Sequence, residues 1–271
     1  MTTHNDSVSF DINTFYRTMI DDVYNYGVEV NGTKEINNYR AVLFNVENPI
    51  VQIRNVSKRY IAAEMLWYFC GRNDVDFIGK YASMWKRLTD DGKTNNSAYG
   101  YIMKRKHGFD QIEKMIELLK IDPYSRRAII NINVPNENVI ETKDEMCTIC
   151  LNFQLRNNLL NCTAVMRSND IYFGVPMDTC AFITVQKYIA KALGVECGTY
   201  TLFAMSLHMY ERDYDKFKDI LDNPDRKDEN LFTFNHDNFI AHYEEAMIDV
   251  EQNGLTPEDA FYKYEIYKDI N

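Results

Sequence analysis

No run in this sequence approaches the roughly 18 consecutive apolar residues of a membrane span, which leaves no candidate transmembrane segment. The start, "MTTHNDSVSF", lacks a basic region followed by an apolar stretch, so a cytoplasmic protein is expected. Glycine and proline are sparse, 11 and 6 in 271 residues. No Gly/Ser/Pro-rich linker, internal repeat or low-complexity tract divides the chain, and its longest polar passages are the termini and residues 222 to 230. A single domain over 1–271 is expected. Six cysteines occur without a signal peptide, which favours reduced thiols over disulfides. Cys147 and Cys150 form a C-x-x-C pair, but no second pair or histidine cluster completes four ligands, so no metal is expected. A broad basic surface is also missing. The formal charge of −10 argues against direct nucleic-acid binding, and an anionic ligand would need a local arginine cluster.

What is present reads as α+β. An apolar fraction of 45% supplies a large core. Residues 57 to 70, "SKRYIAAEMLWYFC", read as a helix opened by Ser57 and closed by Gly71. Residues 109 to 120 repeat that periodicity through Phe109, Ile112, Ile116 and Leu119, and Asp122-Pro123 stops it. Strands are expected at 127 to 134, 149 to 156 and 159 to 167, the last two joined through Asn157-Asn158 as a hairpin. A buried helix follows at 179 to 193, ended by Gly194, then a strand at 199 to 210. Thr256-Pro257-Glu258-Asp259 has the cap, first-turn proline and acids of a short helix. The expected sheet is large and mainly antiparallel or mixed, flanked by helices.

Several residues could carry chemistry, each with a plainer reading beside it. Arg126 and Arg127 sit where a turn enters a strand, and Arg167 ends another strand beside Ser168; such guanidinium groups could grip a phosphate, or form ordinary surface salt bridges. Neighbouring strand residues face opposite sides, so two adjacent arginines reach one ligand only from a turn or a subunit boundary. Cys147 precedes an apolar strand. It becomes a nucleophile if Arg167 lowers its pKa, and is otherwise a small buried hydrophobe. Glu64 falls between Tyr60 and Tyr68 on an apolar helix; burial would raise its pKa into a useful acid/base range, whereas a solvent-facing edge would not. His208 and Tyr210, spaced i, i+2, could meet a sugar, or pack.

In order and spacing, "AAEMLWYFCG", "SMWKRLTDDGKTNNSAYG", "DPYSRR", "MCT", "MRSNDIYFGVPMD" and "SLHMY", over roughly residues 55 to 215, resemble thymidylate synthase and its pyrimidine-modifying relatives. The resemblance implies a thymidylate-synthase-like fold, with a sheet face forming a homodimer interface, and a cleft shared by a nucleoside monophosphate and 5,10-methylene-tetrahydrofolate. Cys147 would match the nucleophile that adds to pyrimidine carbon 6, and Glu64 the general acid/base. Arg167 and Ser168 would hold phosphate, with Arg126 and Arg127 supplied across the dimer. Asn169, Asn152 and Asp170 fall in nucleotide-binding positions, and Asp170 also lies on the folate side with Met84, Trp85, Phe173 and Gly174. Tyr99 would stand near the reacting atoms, and His208 and Tyr210 at the deoxyribose hydroxyl.

Departures from the family pattern narrow the reading. Thymidylate synthases carry asparagine where Asp178 stands here. A carboxylate accepts from the amino group of cytosine, but faces acceptor against acceptor at the uracil carbonyl, a mismatch of about 1–3 kcal/mol. The expected nucleotide is therefore dCMP. Met146-Cys147-Thr148 replaces the usual P-C-H, and R-S-N-D follows Met166; with "KTNNSAYG" these are similar to the deoxycytidylate hydroxymethylases of T-even-type phage. The early-loop phosphate arginine has no clear counterpart, Lys34 being a weak one, and the ending "YEIYKDIN" differs from the apolar C-terminus that closes synthases over folate. The reaction expected is hydroxymethylation of dCMP at carbon 5. Its rivals are a dCMP methylase releasing dihydrofolate, a dUMP-using enzyme, and a catalytically idle nucleotide-binding relative.

Overall fold

The computed structural model describes residues 6–227 and 231–270. Part of the N-terminal stretch, part of the polar passage at 222 to 230 and the last residue of "YEIYKDIN" lie outside them. The first half of the chain runs β1 (Asp6–Ser9), α1 (Ile12–Tyr26), β2 (Val28–Val30), β3 (Thr33–Leu43), α2 (Lys58–Phe69), α3 (Val75–Ile78), α4 (Tyr99–Lys104), α5 (Gln111–Ile121) and β4 (Ile129–Asn131). The second half runs β5 (Thr148–Arg156), β6 (Leu159–Met166), β7 (Asn169–Asp170), α6 (Gly174–Leu193), β8 (Glu196–Tyr210), α7 (Tyr214–Asp222), β9 (Phe232–Phe234), α8 (His236–Gln252), α9 (Pro257–Lys263) and β10 (Tyr267–Asp269).

Eight strands form one mixed sheet in the order β1-β3-β8-β6-β5-β4, with β2 on β3 and β7 on β8. The antiparallel pairs are β2/β3, β3/β8, β5/β6 and β4/β5; β1/β3, β6/β8 and β7/β8 run parallel. Pleating sorts the side chains into faces. Cross-strand rows such as Leu43, Tyr200, Cys162, Phe153 and Ala41, Leu202, Ala164, Leu151 are buried under α1 and α6. The next row over, Arg40, Phe203, Val165 and Cys150, stays half-exposed or exposed. The architecture is α+β, as expected.

Local signals explain most boundaries. Ser57 caps α2 by accepting from the Tyr60 amide at 3.2 Å, and Gly71 turns left-handed at φ +62° to end it. Asn157 and Asn158, at φ +51° and +62°, make the two-residue turn whose twist suits a hairpin. Thr256 caps α9 through the Asp259 amide, and Gly194 ends α6 at φ +69°.

Three expectations shift. Helix α5 starts one residue past Asp110, its cap, so Phe109 lies outside it and is exposed. The strand expected at 127 to 134 shrinks to Ile129–Asn131, because Ile132 and Asn133 both donate to Ile149 and the ladder ends. Helix α6 begins at Gly174, five residues before the expected start, since Pro176 falls in its first turn, where no intrahelical donor is needed. Asp178 therefore sits inside a helix and not at the end of a loop.

Candidate active site

The register of one hairpin builds the centre of the site. β5 and β6 pair Thr148 with Met166, so Cys147, just before one strand, and Arg167, just after the other, are cross-strand neighbours; the Arg167 amide donates to the Cys147 carbonyl at 2.8 Å. The Arg167 guanidinium is fixed by Nε to the Met146 carbonyl at 2.9 Å and Nη2 to the Glu145 carbonyl at 3.0 Å. The approach to Cys147 is pinned as well. Asp90 accepts from the Lys143 amide and the Thr142 hydroxyl, Asp144 accepts from the Ser97 amide, and the Tyr99 hydroxyl accepts from the Thr148 amide at 3.3 Å.

These groups open onto a cavity of about 700 Å³. Helix α2 contributes Tyr60, Glu64 and Tyr68, one turn apart on a single face. Residues from Ile61 to Phe69 are all buried, which settles the two readings of Glu64 in favour of burial. Helix α6 brings Gly174, Met177 and Asp178. Its start packs tightly on β7: a Cβ on Gly174 would come within 2.3 Å of Asn169 Oδ1, so a larger residue there would have to push that buried side chain aside.

Burial dominates the electrostatics. It pushes the Glu64 carboxyl up to about 7 against hydrogen bonds from Tyr60 and Tyr68 that favour the ionised form. The Tyr60 hydroxyl lies 2.9 Å from Glu64 Oε1, while among the described residues no group pairs with Oε2. Burial also drives Asp178 well above the usual carboxylate range, the charges of Glu64 and Asp170 add to it, and a hydrogen bond with Asn169 opposes it. The Cys147 thiol is pushed up to about 11 by burial, with Arg167 pulling the other way. The expected effect of Arg167 is present, but burial outweighs it, and the thiol rests protonated.

Of the residues singled out from sequence, Glu64, Met84, Trp85, Tyr99, Cys147, Arg167, Ser168, Asn169, Asp170, Phe173, Gly174 and Asp178 line this cavity. His208 stands behind the rim, its Nδ1 3.4 Å from Ser168 Oγ and its ring 5.3 Å from that of Tyr210. Asn152 lies opposite Thr163 on the half-exposed face of the sheet, away from the cavity lining. Arg126 and Arg127 are exposed and also outside it, Arg127 lying 3.9 Å from Asp122. Lys34 is taken up elsewhere, donating to the Tyr24 carbonyl between the Tyr24 and Tyr214 rings.

Sequence reasoning gave no role to Tyr60 and Tyr68, although their i, i+4, i+8 spacing with Glu64 marks one helix face. It also missed Arg54, which lines the cavity and lies over the Tyr172 and Phe173 rings at 4.1 and 5.6 Å. No motif signals that residue; only the fold brings it there.

A sequence profile described as thymidylate synthase matches residues 14–261. The chain is 34% identical over 199 residues to a deoxyuridylate hydroxymethyltransferase of Bacillus phage SP01, covering 67% of this chain and 52% of that protein. It is 28% identical over 172 residues to a deoxyuridylate hydroxymethyltransferase of Pseudomonas phage M6, covering 62% and 49%. The chain thus spans about half the length of these two relatives. Identity to a thymidylate synthase of Clostridium beijerinckii is 26% over 212 residues, 75% of this chain and 79% of that one. Among solved structures, thermostable thymidylate synthase A from Bacillus subtilis superposes with a TM-score of 0.70 over 96% of this chain and 95% of its own, at 21% identity; that likeness concerns the fold.

Proposed function

The chain belongs to the thymidylate synthase family, and on that premise we propose that it hydroxymethylates dCMP at carbon 5, giving 5-hydroxymethyl-dCMP and tetrahydrofolate. One observation carries the reading: Cys147, Glu64 and Asp178 line the same cavity, with both carboxyls raised by burial. The cavity suits the second substrate too, since Met84, Trp85, Leu88 and Phe173 offer an apolar and aromatic wall to a flat fused ring. Methylene-tetrahydrofolate supplies a one-carbon unit at the oxidation level of formaldehyde.

Arg167 and Ser168 hold the nucleotide phosphate, and in a homodimer the exposed Arg126 and Arg127 of a second copy complete that grip. His208 and Tyr210 meet the deoxyribose. Cys147 loses its proton as the nucleotide displaces water and adds to carbon 6, making carbon 5 nucleophilic. Carbon 5 takes the one-carbon unit, and loss of the carbon-5 hydrogen as a proton then breaks the bond from that carbon to the folate nitrogen, so that tetrahydrofolate leaves and an exocyclic methylene remains on the ring. Glu64, poised near neutrality, then deprotonates a water that adds to this methylene. Electrons return through the ring, and the Cys147 thiolate leaves carbon 6.

Asp178 sets the base. Its neutral carboxyl donates a proton to cytosine N3 and accepts from the exocyclic amino group, and proton sharing with basic N3 makes the pair charge-assisted. Uracil has no basic N3. A dUMP reading has support of its own, because a neutral carboxyl can also donate to uracil O4 and accept from N3–H, and both phage relatives are described as deoxyuridylate hydroxymethyltransferases.

Incubation with dCMP or dUMP and methylene-tetrahydrofolate, followed by mass analysis, tests the proposal. Hydroxymethyl-dCMP without dihydrofolate is expected. A methylated base accompanied by dihydrofolate absorbance overturns hydroxymethylation, and turnover of dUMP alone overturns the base assignment. Cys147→Ala should lower product formation about a thousandfold or more; unchanged turnover would remove the thiol from the mechanism.

A further inference from the structure

Tyr60 occupies a position whose hydrogen-bond directions are fixed by its neighbours. The Trp85 indole nitrogen lies 3.0 Å from the Tyr60 hydroxyl and can only donate. The hydroxyl therefore accepts there and directs its own proton to Glu64 Oε1, 2.9 Å away. Tyr60 is itself held well above the usual phenol range by burial, then by the charge of Glu64, so it stays a donor at physiological pH. The consequence falls on Glu64. Oε1 is committed to accepting, so a proton arriving on the carboxyl must sit on Oε2, the oxygen with no partner among the described residues. A buried oxygen of this kind calls for a water or a substrate atom.

We propose that Tyr60 is a positioning residue that confines proton exchange by Glu64 to Oε2, where it orients the water that adds to the exocyclic methylene. This rests on the hydroxymethylase reading above. In that step Oε2 takes a proton from water, the oxygen bonds to the methylene carbon, and the displaced electron pair passes through carbon 5 to expel the Cys147 thiolate, which recovers the proton from Glu64. Without Tyr60 the carboxyl turns freely and takes its proton on either oxygen. Methylene transfer continues, but hydration lags.

The test is the ratio of two events measured on one sample: release of the carbon-5 hydrogen, which reports methylene transfer, and formation of hydroxymethylated product. In the unaltered protein the two match. Tyr60→Phe should keep hydrogen release while product falls about tenfold, the scale of one hydrogen bond to a charged group. It should also shift the rising limb of the pH profile upward, because the lost bond favours ionised Glu64. The other titratable groups around Glu64 are Tyr68 on α2 and Asp178 and Cys180 on α6, and all remain. Tyr262→Phe, whose hydroxyl meets Lys58 and Asp269 away from the cavity lining, is the comparison, with the ratio unchanged. If Tyr60→Phe does not fold, Trp85→Phe, which frees the Tyr60 hydroxyl to turn, should move the ratio the same way by less. Parallel loss of both events, or a ratio unmoved in both variants, overturns the inference. Absence of hydrogen release in the unaltered protein overturns the hydroxymethylase reading instead.

Discussion

Helices α2 and α8 each carry an acid among buried neighbours, Glu64 and Asp249, and the fold treats the two oppositely. Asp249 is saturated: Lys263 and Tyr264 donate to Oδ2 at 2.6 and 2.8 Å and Asn253 to Oδ1 at 2.7 Å. These bonds hold its carboxyl down to about 2. Glu64 has one close donor on Oε1 and is driven up to about 7. The surroundings differ in the same sense. Around α8 the rings of Phe69, Phe234, Phe239, Tyr243 and Phe261 interlock, with Phe69 and Phe239 centroids 4.8 Å apart at 88°. Beside Glu64 lies a cavity. The α8 cap pairs both oxygens of Asp249 and fills its space with rings, whereas the cavity wall leaves Glu64 Oε2 unpaired among the described residues beside open space, and that incompleteness is what a proton-transferring site requires.

If that contrast is real, damage to the cap should cost stability and spare chemistry. Phe239, with no exposed surface, is its centre; Phe239→Ala should destabilise the chain by about 3–5 kcal/mol in urea unfolding, with product formed per folded molecule unchanged. Damage to the cavity wall should do the reverse. The folded carboxyl of Glu64 titrates near 7 against 4.5 for an ordinary glutamate, so the folded chain holds the extra proton between those values and stability falls as pH rises through that window. Glu64→Gln removes this penalty. It should stabilise the chain at pH 8 by about 3 kcal/mol, change little at pH 4, and slow turnover by about a hundred- to ten-thousandfold. A variant less stable than the parent at pH 8 would refute the strained-acid picture.

The same contrast explains what could be read in advance. Caps, turn asparagines and closing glycines act through neighbouring backbone, so α2, the β5–β6 hairpin and α9 were legible from a few residues each. Cys147, Arg167 and Asp178 were legible because ordered motifs carried them. Long-range placement was not. Arg54 reaches the cavity only because the chain between β3 and α2 folds over it, and the start of α6 was misjudged because a proline in a helix's first turn looks locally like one in a loop. The balance at the thiol was legible only in part: Arg167 was visible in the sequence, the burial that outweighs it was not.

The finest test concerns Asp178, where the cavity's unmet proton affinity becomes a choice between bases. Asp178 is raised by burial and by the charges of Glu64 and Asp170, which favours a protonated carboxyl where the base would sit. Cytosine N3 can share that proton and acquire charge, which strengthens the contact and draws electrons from carbon 6; uracil can only form neutral bonds. A side-chain amide in place of the carboxyl would offer neutral bonds to both. Asp178→Asn should thus lower kcat/KM for dCMP relative to dUMP by about ten- to a hundredfold, equivalent to about 1–3 kcal/mol, and flatten the pH dependence of that ratio. If the ratio does not move, the carboxyl reads neither base through its proton, and the dUMP assignment gains at the expense of dCMP.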